Sequence, residues 1–285
     1  MTAVTWKLPR QVLTIGPKPL IMGIVNATPD SFSDGGKYDP VAQGLKLIND
    51  GADILDIGGE STRPGAMMVS EDEELRRVIP VIIQLSHQAS IPLSIDTTKA
   101  RVAREAVATG ASIINDISAL EADADMVQVA VDSGAAIVAM HRQGTPQTMQ
   151  QNPHYDNVVN EVSDYLKLRL SHLEKAGIAR ERIVLDPGIG FGKRTEHNLA
   201  LLAHLDRLTE TGRPVLLGVS RKGFIHRTLE REPNTFAGDM GTMGLMLHAH
   251  SRGWLHVARV HNVDALRIAL DMWQAVDNRV LSAES

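Results

Sequence analysis

The 285-residue chain contains no cysteine, so disulfides and thiolate metal sites are excluded. Positive charge is not in excess: 29 Lys and Arg stand against 34 Asp and Glu, a formal charge of −5. Aromatic residues are only 4% and are not interleaved with basic ones, so the chain offers neither the basic field nor the stacking platform of a nucleic-acid surface. No apolar stretch reaches the roughly 18 residues of a membrane span. The first nineteen residues lack the basic region followed by an apolar run that marks export. The expectation is a soluble cytoplasmic protein without nucleic-acid or membrane partners. Also missing is any Pro/Gly/Ser-rich linker or shift in composition, so residues 1–285 read as one domain.

What is present is enough apolar material for a large core, 43% hydrophobic residues at a mean hydropathy of −0.09. Eight short apolar runs read as strands buried on both faces: Leu20–Asn26, Ile54–Gly59, Leu93–Thr97, Ile113–Ile117, Ile137–His141, Ile183–Gly188, Val215–Ser220 and His256–Asn262. Amphipathic segments such as Glu71–His87, Lys99–Thr109, Asn157–Ala176, Thr195–Leu208 and Val263–Asn278 alternate with them as helices. Ser70 and Glu73 form a capping-box pattern, and Gly110 and Gly177 stand at C-cap positions. Eight such units predict a single (β/α)8 TIM barrel over residues 20–280, with residues 1–19 as a short hairpin extension over its bottom.

Each predicted strand ends in polar or ionisable residues: Asn26; Asp56 and Glu60; Asp96; Asn115 and Asp116; His141; Asp186; Ser220 and Lys222; Arg259 and His261. One such residue is ordinarily a cap or turn-former. Eight in succession at the end of the barrel where active sites lie read more economically as a ligand site. Asp96, Asn115 and Asp186 suit a flat heterocycle rich in N–H donors, and Lys222 can donate to its carbonyl or ring nitrogen. Arg259 and His261, two residues apart on one strand, face the same way and suit an anionic group such as a diphosphate. The loops Asn26–Tyr38 and Gly58–Ala66 exceed ordinary βα connections, and their Asn26, Asp34, Ser61, Thr62 and Arg63 can supply oxygen ligands to Mg²⁺ and donors to phosphate. The glycine-rich run "DPGIGFGK" matches neither dinucleotide nor P-loop spacing; its glycines admit a flat ligand, with Phe191 as a wall.

The segments "IMGIVNATPDSFSDGG", "GADILDIGGESTRPGA", "SIDTTKA", "GASIINDIS", "MHRQGTPQTMQ", "DPGIGFGK", "GVSRKGFI" and "VARVHNV", in this order over about residues 20 to 280, resemble the dihydropteroate synthase family. That resemblance implies a barrel enzyme joining 4-aminobenzoate to 6-hydroxymethyl-7,8-dihydropterin diphosphate, with Mg²⁺ as cofactor, and a homodimer. It implies that Asp96, Asn115, Asp186 and Lys222 hold the pterin, with Asp56 behind them and Met140 on the ring face. Asn26, Thr62, Arg259 and His261 would hold the diphosphate. Asn26 and Asp34 would contact the metal, and Phe32, Arg63, Pro64, Phe191 and Lys222 would shape the aminobenzoate slot, which a 4-aminophenyl sulfonamide would share. Lys222, Asp96 and Arg259 are the catalytic candidates. Two positions depart from the family pattern: Asn262 stands where an aspartate is common, and Gly223 where serine or arginine is common. Gly223 leaves the aminobenzoate carboxylate to backbone N–H groups at the next helix. A pterin-dependent methyltransferase of the same barrel type and a catalytically silent relative are the competing readings; the first has no use for a diphosphate site.

Overall fold

The computed structural model describes residues 3–28, 39–63 and 65–283, with side chains described through residue 277. The extension is an antiparallel hairpin of β1 (Val4–Lys7) and β2 (Val12–Ile15). The barrel strands are β3 (Leu20–Asn26), β4 (Ile54–Gly58), β5 (Leu93–Asp96), β6 (Ile113–Asp116), β7 (Ala136–Met140), β8 (Ile183–Asp186), β9 (Leu216–Leu217) and β10 (Val257–Val260). They pair in parallel in the order β8-β7-β6-β5-β4-β3-β10-β9, and a Leu185–Val215 bridge joins β8 to the β9 side, closing the (β/α)8 barrel.

The helices are α1 (Pro40–Asn49), α2 (Glu71–Gln88), α3 (Ala100–Thr109), α4 (Met126–Ser133), α5 (Val158–Lys175), α6 (Thr195–Ala203), α7 (Asp206–Thr209), α8 (Gly223–Leu229), α9 (Thr235–Ser251) and α10 (Val263–Ala283). Gly110 and Gly177 take φ of +135° and +100°, where a Cβ would be strained, and end α3 and follow α5 as expected.

Three local expectations are corrected. The helix predicted over Thr195–Leu208 is two helices, because His204 leaves helical geometry at φ −132° and ψ 37°; Leu205 and Leu208 still reach the core. Ser70 Oγ accepts from the Glu73 backbone N–H at 3.3 Å, but the Glu73 carboxylate engages Arg77 Nε at 2.7 Å, so only half of the capping box forms. Seven of the eight predicted strands, all but Leu20–Asn26, also run too far at their C-terminal ends. His141, Ser220 and His261 lie just beyond the ladders, which stop once neighbouring strands diverge into the rim loops.

The core has two compartments. Helices and the outward strand faces share one, rich in Ile, Leu, Val and Ala. The other fills the lower barrel: Met22, Ile54, Ile113, Val138, Val184, Leu216 and Val257 pack on Trp6, Leu8 and Ile15 of the hairpin. Trp6 is fully buried and its Nε1 donates to the Arg182 carbonyl at 2.9 Å, at the entrance to β8. Arg213 adds a second tie, donating to the carbonyls of Thr5 at 3.1 Å and Ile183 at 3.0 Å. The hairpin therefore plugs the lower barrel and leaves its interior open at the strand C-terminal ends alone. Trp6→Ala is predicted to cost about 3–5 kcal/mol in a urea unfolding experiment while leaving ligand binding at the opposite rim unchanged; a loss below about 1 kcal/mol would contradict the role of the plug.

Candidate active site

Side chains alternate across a strand, so every second residue points into the barrel. Climbing β3 by twos passes from Met22 in the apolar plug to Ile24 and Asn26 in an open cavity. The same step carries β6 from Ile113 to Asn115, β7 from Val138 to Met140, β8 from Val184 to Asp186, and β10 from Val257 to Arg259 and then His261. The upper barrel is thus a polar layer seated on an apolar one, below a cavity of about 1160 Å³. The predicted residues Asn26, Thr62, Arg63, Asp96, Asn115, Met140, Asp186, Phe191, Lys222, Arg259 and His261 all line it. Asp56 lies behind the wall, fully buried, as expected. Phe32, Asp34 and Pro64 lie outside the described residues.

Arg259 ties the floor together. Its Nε donates to Asp56 Oδ2 at 2.6 Å and its Nη2 to Asp96 Oδ2 at 2.7 Å. Asn115 Nδ2 donates to the same Asp56 oxygen at 3.0 Å, which fixes the amide orientation. Asp56 Oδ1 has no hydrogen-bond partner among the described residues. Burial pushes the Asp96 carboxyl up to about 7, Arg259 opposing and Asp56 adding to the rise. Burial also raises Asp186, against the pull of Lys222, and lowers Lys222 to about 8, against the pull of Asp186. Asp186 Oδ1 accepts from Gly188 N–H at 2.7 Å. Gly188 has φ +66°, and a Cβ there would overlap the His141 carbonyl oxygen, so glycine is required for this approach.

Lys222 donates to the Ile189 carbonyl, and its Nζ sits 4.4 Å from the Phe191 ring centroid. Beside them the cavity has an aromatic wall and a cation at the start of α8. His261 differs from the simplest sequence reading. Burial, reinforced by Arg221, Arg259 and Arg63, pushes its imidazole down to about 3, so in the free protein it is neutral and only Arg259 brings full charge. Ser220 Oγ meets His261 Nδ1 at 2.9 Å and accepts from the His261 backbone N–H at 3.1 Å.

Sequence reasoning missed the supports. Lys193, 1% exposed, sits 2.9 Å from His141 Nδ1 and donates to the carbonyls of Gly188 and Phe191, each at 3.0 Å. It pins the glycine-rich loop to the end of β7. Lys99 joins Glu60 and the fully buried Glu74, while Glu60 Oε1 accepts from Val69 N–H at 2.9 Å, clasping both ends of the loop that carries Thr62 and Arg63. A lysine inside an otherwise glycine-rich run, and one just after a strand, were the available signals. On α9, His248 lies edge-on to Trp254 and His250 edge-on to Trp273.

The sequence matches the pterin binding enzyme family over residues 22–261. A closed barrel with a polar cavity at its C-terminal rim, in a chain matched over that length, defines the class as a pterin-binding barrel enzyme. The chain is 47% identical to the dihydropteroate synthase of Neisseria meningitidis serogroup B over 268 residues, covering 91% of this chain and 93% of that protein. The dihydropteroate synthase of Xanthomonas albilineans with 4-aminobenzoic acid superposes with a TM-score of 0.89 at 48% identity, covering 97% and 99% of the two chains. The same enzyme in complex with 7,8-dihydropteroate gives a TM-score of 0.86 at 45% identity, covering 96% and 98%. The chain belongs to the dihydropteroate synthase family.

Replacing Arg259 by methionine would leave Asp56 and Asp96 buried without their cation, a loss of about 3–5 kcal/mol for a broken buried pair. It would also raise Asp96 above its present value of about 7, against an ordinary carboxyl at 3.8. The folded variant then holds a proton that the unfolded chain releases, so its stability is greatest on the acid side and falls as pH rises through the folded pKa. Urea unfolding of Arg259→Met is predicted to show a larger deficit at about pH 8 than at about pH 5.5; an equal deficit would separate Arg259 from the acids.

Proposed function

We propose that the upper layer of the barrel reads a dihydropterin and that its Arg259 side receives the diphosphate. Members of this family join 4-aminobenzoate to 6-hydroxymethyl-7,8-dihydropterin diphosphate, and that transferase reaction is this chain's activity. The observation that carries the site reading is the convergence of Asp96, Asn115, Asp186 and Lys222 with Arg259 and His261 in one cavity. Carboxylates and an amide match the N–H edge of the pterin, Lys222 its carbonyl or ring nitrogen, and Met140 its face. Phe191, Lys222 and Arg63, with Phe32 and Pro64 outside the described residues, form the aminobenzoate slot.

In the reaction the arylamine lone pair forms a bond to the exocyclic methylene carbon. The carbon–oxygen bond breaks with its electron pair passing to diphosphate, and the amine proton leaves to the departing anion or to water. The dihydropterin ring stabilises positive charge at the methylene, so no strong base is needed; positioning of both rings and neutralisation of the leaving group are. Arg259 supplies charge to that leaving group. His261 contributes as a neutral imidazole: in the tautomer with its proton on Nε2, Nδ1 accepts a hydrogen bond from Ser220 Oγ and Nε2 is a donor for the leaving group. Thr62 and Asn26 complete this side.

Magnesium fits the donor set as a metal held largely by phosphate oxygens. Asn26, at the end of β3, offers the amide oxygen such an ion accepts; Asp34 lies outside the described residues; and no group of three His, Asp or Glu gathers as a self-sufficient metal site among the described residues. Bound there with Asn26 and Asp34, Mg²⁺ would offset the charge of the departing diphosphate. The exposed apolar residues Ile268, Met272 and Val276, spaced by four along α10, with Phe236 and Met240 on α9, support a homodimer. No helix among the described residues is long and apolar enough to cross a membrane, and the cytoplasm is the compartment we assign.

The test is pyrophosphate release requiring both substrates. No release from the two substrates together would favour the alternatives. Asp186→Ala is predicted to weaken pterin binding about tenfold or more, because the lost acceptor leaves a buried ligand donor unpaired. Unchanged pterin affinity by calorimetry would remove Asp186 from the pterin edge.

A further inference from the structure

Asn262 is fixed on both sides of its amide. It precedes α10, where its Oδ1 accepts from Ala265 N–H at 3.2 Å, and its Nδ2 donates to Asp239 Oδ2 at 2.9 Å. The same carboxylate, buried on α9, takes Arg221 in a two-pronged ion pair: Nε to Oδ1 at 2.7 Å and Nη2 to Oδ2 at 3.0 Å. Arg221 has φ +56°, and its backbone N–H donates to Thr242 Oγ1 at 3.1 Å, so α9 holds both its backbone and its side chain. Its chain neighbours are Ser220, which meets His261, and Lys222, which faces Phe191 and Asp186.

An aspartate at 262 would set a second carboxylate within hydrogen-bond distance of Asp239 Oδ2, where Asn262 Nδ2 now donates, and repulsion would force the two apart or one into its protonated form. Two amides would leave the guanidinium without a counter-charge. Only an acid with an amide satisfies Arg221 while also giving α10 its N-cap acceptor. Exchanging the two residues keeps one carboxylate, one amide donating to it and an acceptor at the start of α10.

We propose that Asp239 and Asn262 are positioning residues for the turn 220–222, an acid–amide pair that holds Arg221 from α9 and the start of α10. The pair acts through Arg221 on the directions of the Ser220–His261 contact and of Lys222, and so rests on the site reading given above for those residues. It makes the two positions exchangeable as a unit and not singly.

The experiment compares Asp239→Asn, Asn262→Asp and the exchange Asp239→Asn/Asn262→Asp, by pyrophosphate-release kinetics and by calorimetric affinity for inorganic pyrophosphate. Each single substitution is expected to lower kcat/KM for the pterin diphosphate about tenfold and to weaken pyrophosphate binding, while the exchange returns both to within about threefold of the parent. A merely structural role would move the unfolding midpoint without this recovery in ligand affinity. If Asp239→Asn does not fold, Asn262→Asp against the exchange carries the same expectation, the exchange being the more active. Singles at parental values, or an exchange no better than the weaker single, would overturn the proposal. A parent protein that releases no pyrophosphate would overturn the transferase reading instead, and the pyrophosphate-binding series would still decide the pairing.

Discussion

The Arg259 guanidinium, held between Asp56 and Asp96 inside the barrel, is the interaction on which the rest of the site depends. It lies immediately above an apolar layer made by Met22, Ile54, Ile113, Val138, Val184, Leu216 and Val257. Charges in such a place are tolerated only when paired and hydrogen-bonded. Burial pushes the Asp96 carboxyl up to about 7 against the pull of Arg259, with Asp56 adding to the rise. In the site reading proposed above, the N–H donors of a flat ring would favour the charged carboxylate.

Two further cations, the buried Lys193 and the half-buried Lys99, hold the walls around this floor. Lys193 draws the carbonyls of Gly188 and Phe191 toward His141, which seats the glycine-rich loop so that Gly188 can donate to Asp186 and Phe191 can stand beside Lys222. Lys99 does the same on the opposite wall through Glu60 and Glu74. The hairpin closes the lower end with Trp6, so the polar layer meets solvent from one side only. Rigid walls suit a reaction that asks for positioning and charge balance and not for a strong base.

Much of this was legible in the chain because a parallel barrel writes itself as doubly buried strands whose polar ends share one rim. Period-two alternation placed Arg259 and His261 on one face and brought Asp96, Asn115 and Asp186 to one level. What escaped was nonlocal. Nothing local to Arg259 announces that its partner Asp56 is 203 residues away, or that the nearby arginines and burial would keep His261 neutral. The break at His204 was hidden because Leu205 and Leu208 preserve the apolar pattern across it. Nothing local to Lys99 or Lys193 announces the distant groups that each engages, Glu60 and Glu74 for the first and His141 for the second.

The most direct measurement of the central claim is the titration of Asp96 itself, followed by the carbon NMR shift of its labelled carboxyl, with and without bound 6-hydroxymethylpterin. The account predicts a midpoint near 7 in the free protein, moved to lower pH when the ring's N–H donors bind the carboxylate. A midpoint near 3.8 in both states would contradict it, because Asp96 would then be an ordinary carboxylate fully satisfied by Arg259, with nothing held in reserve for the ligand.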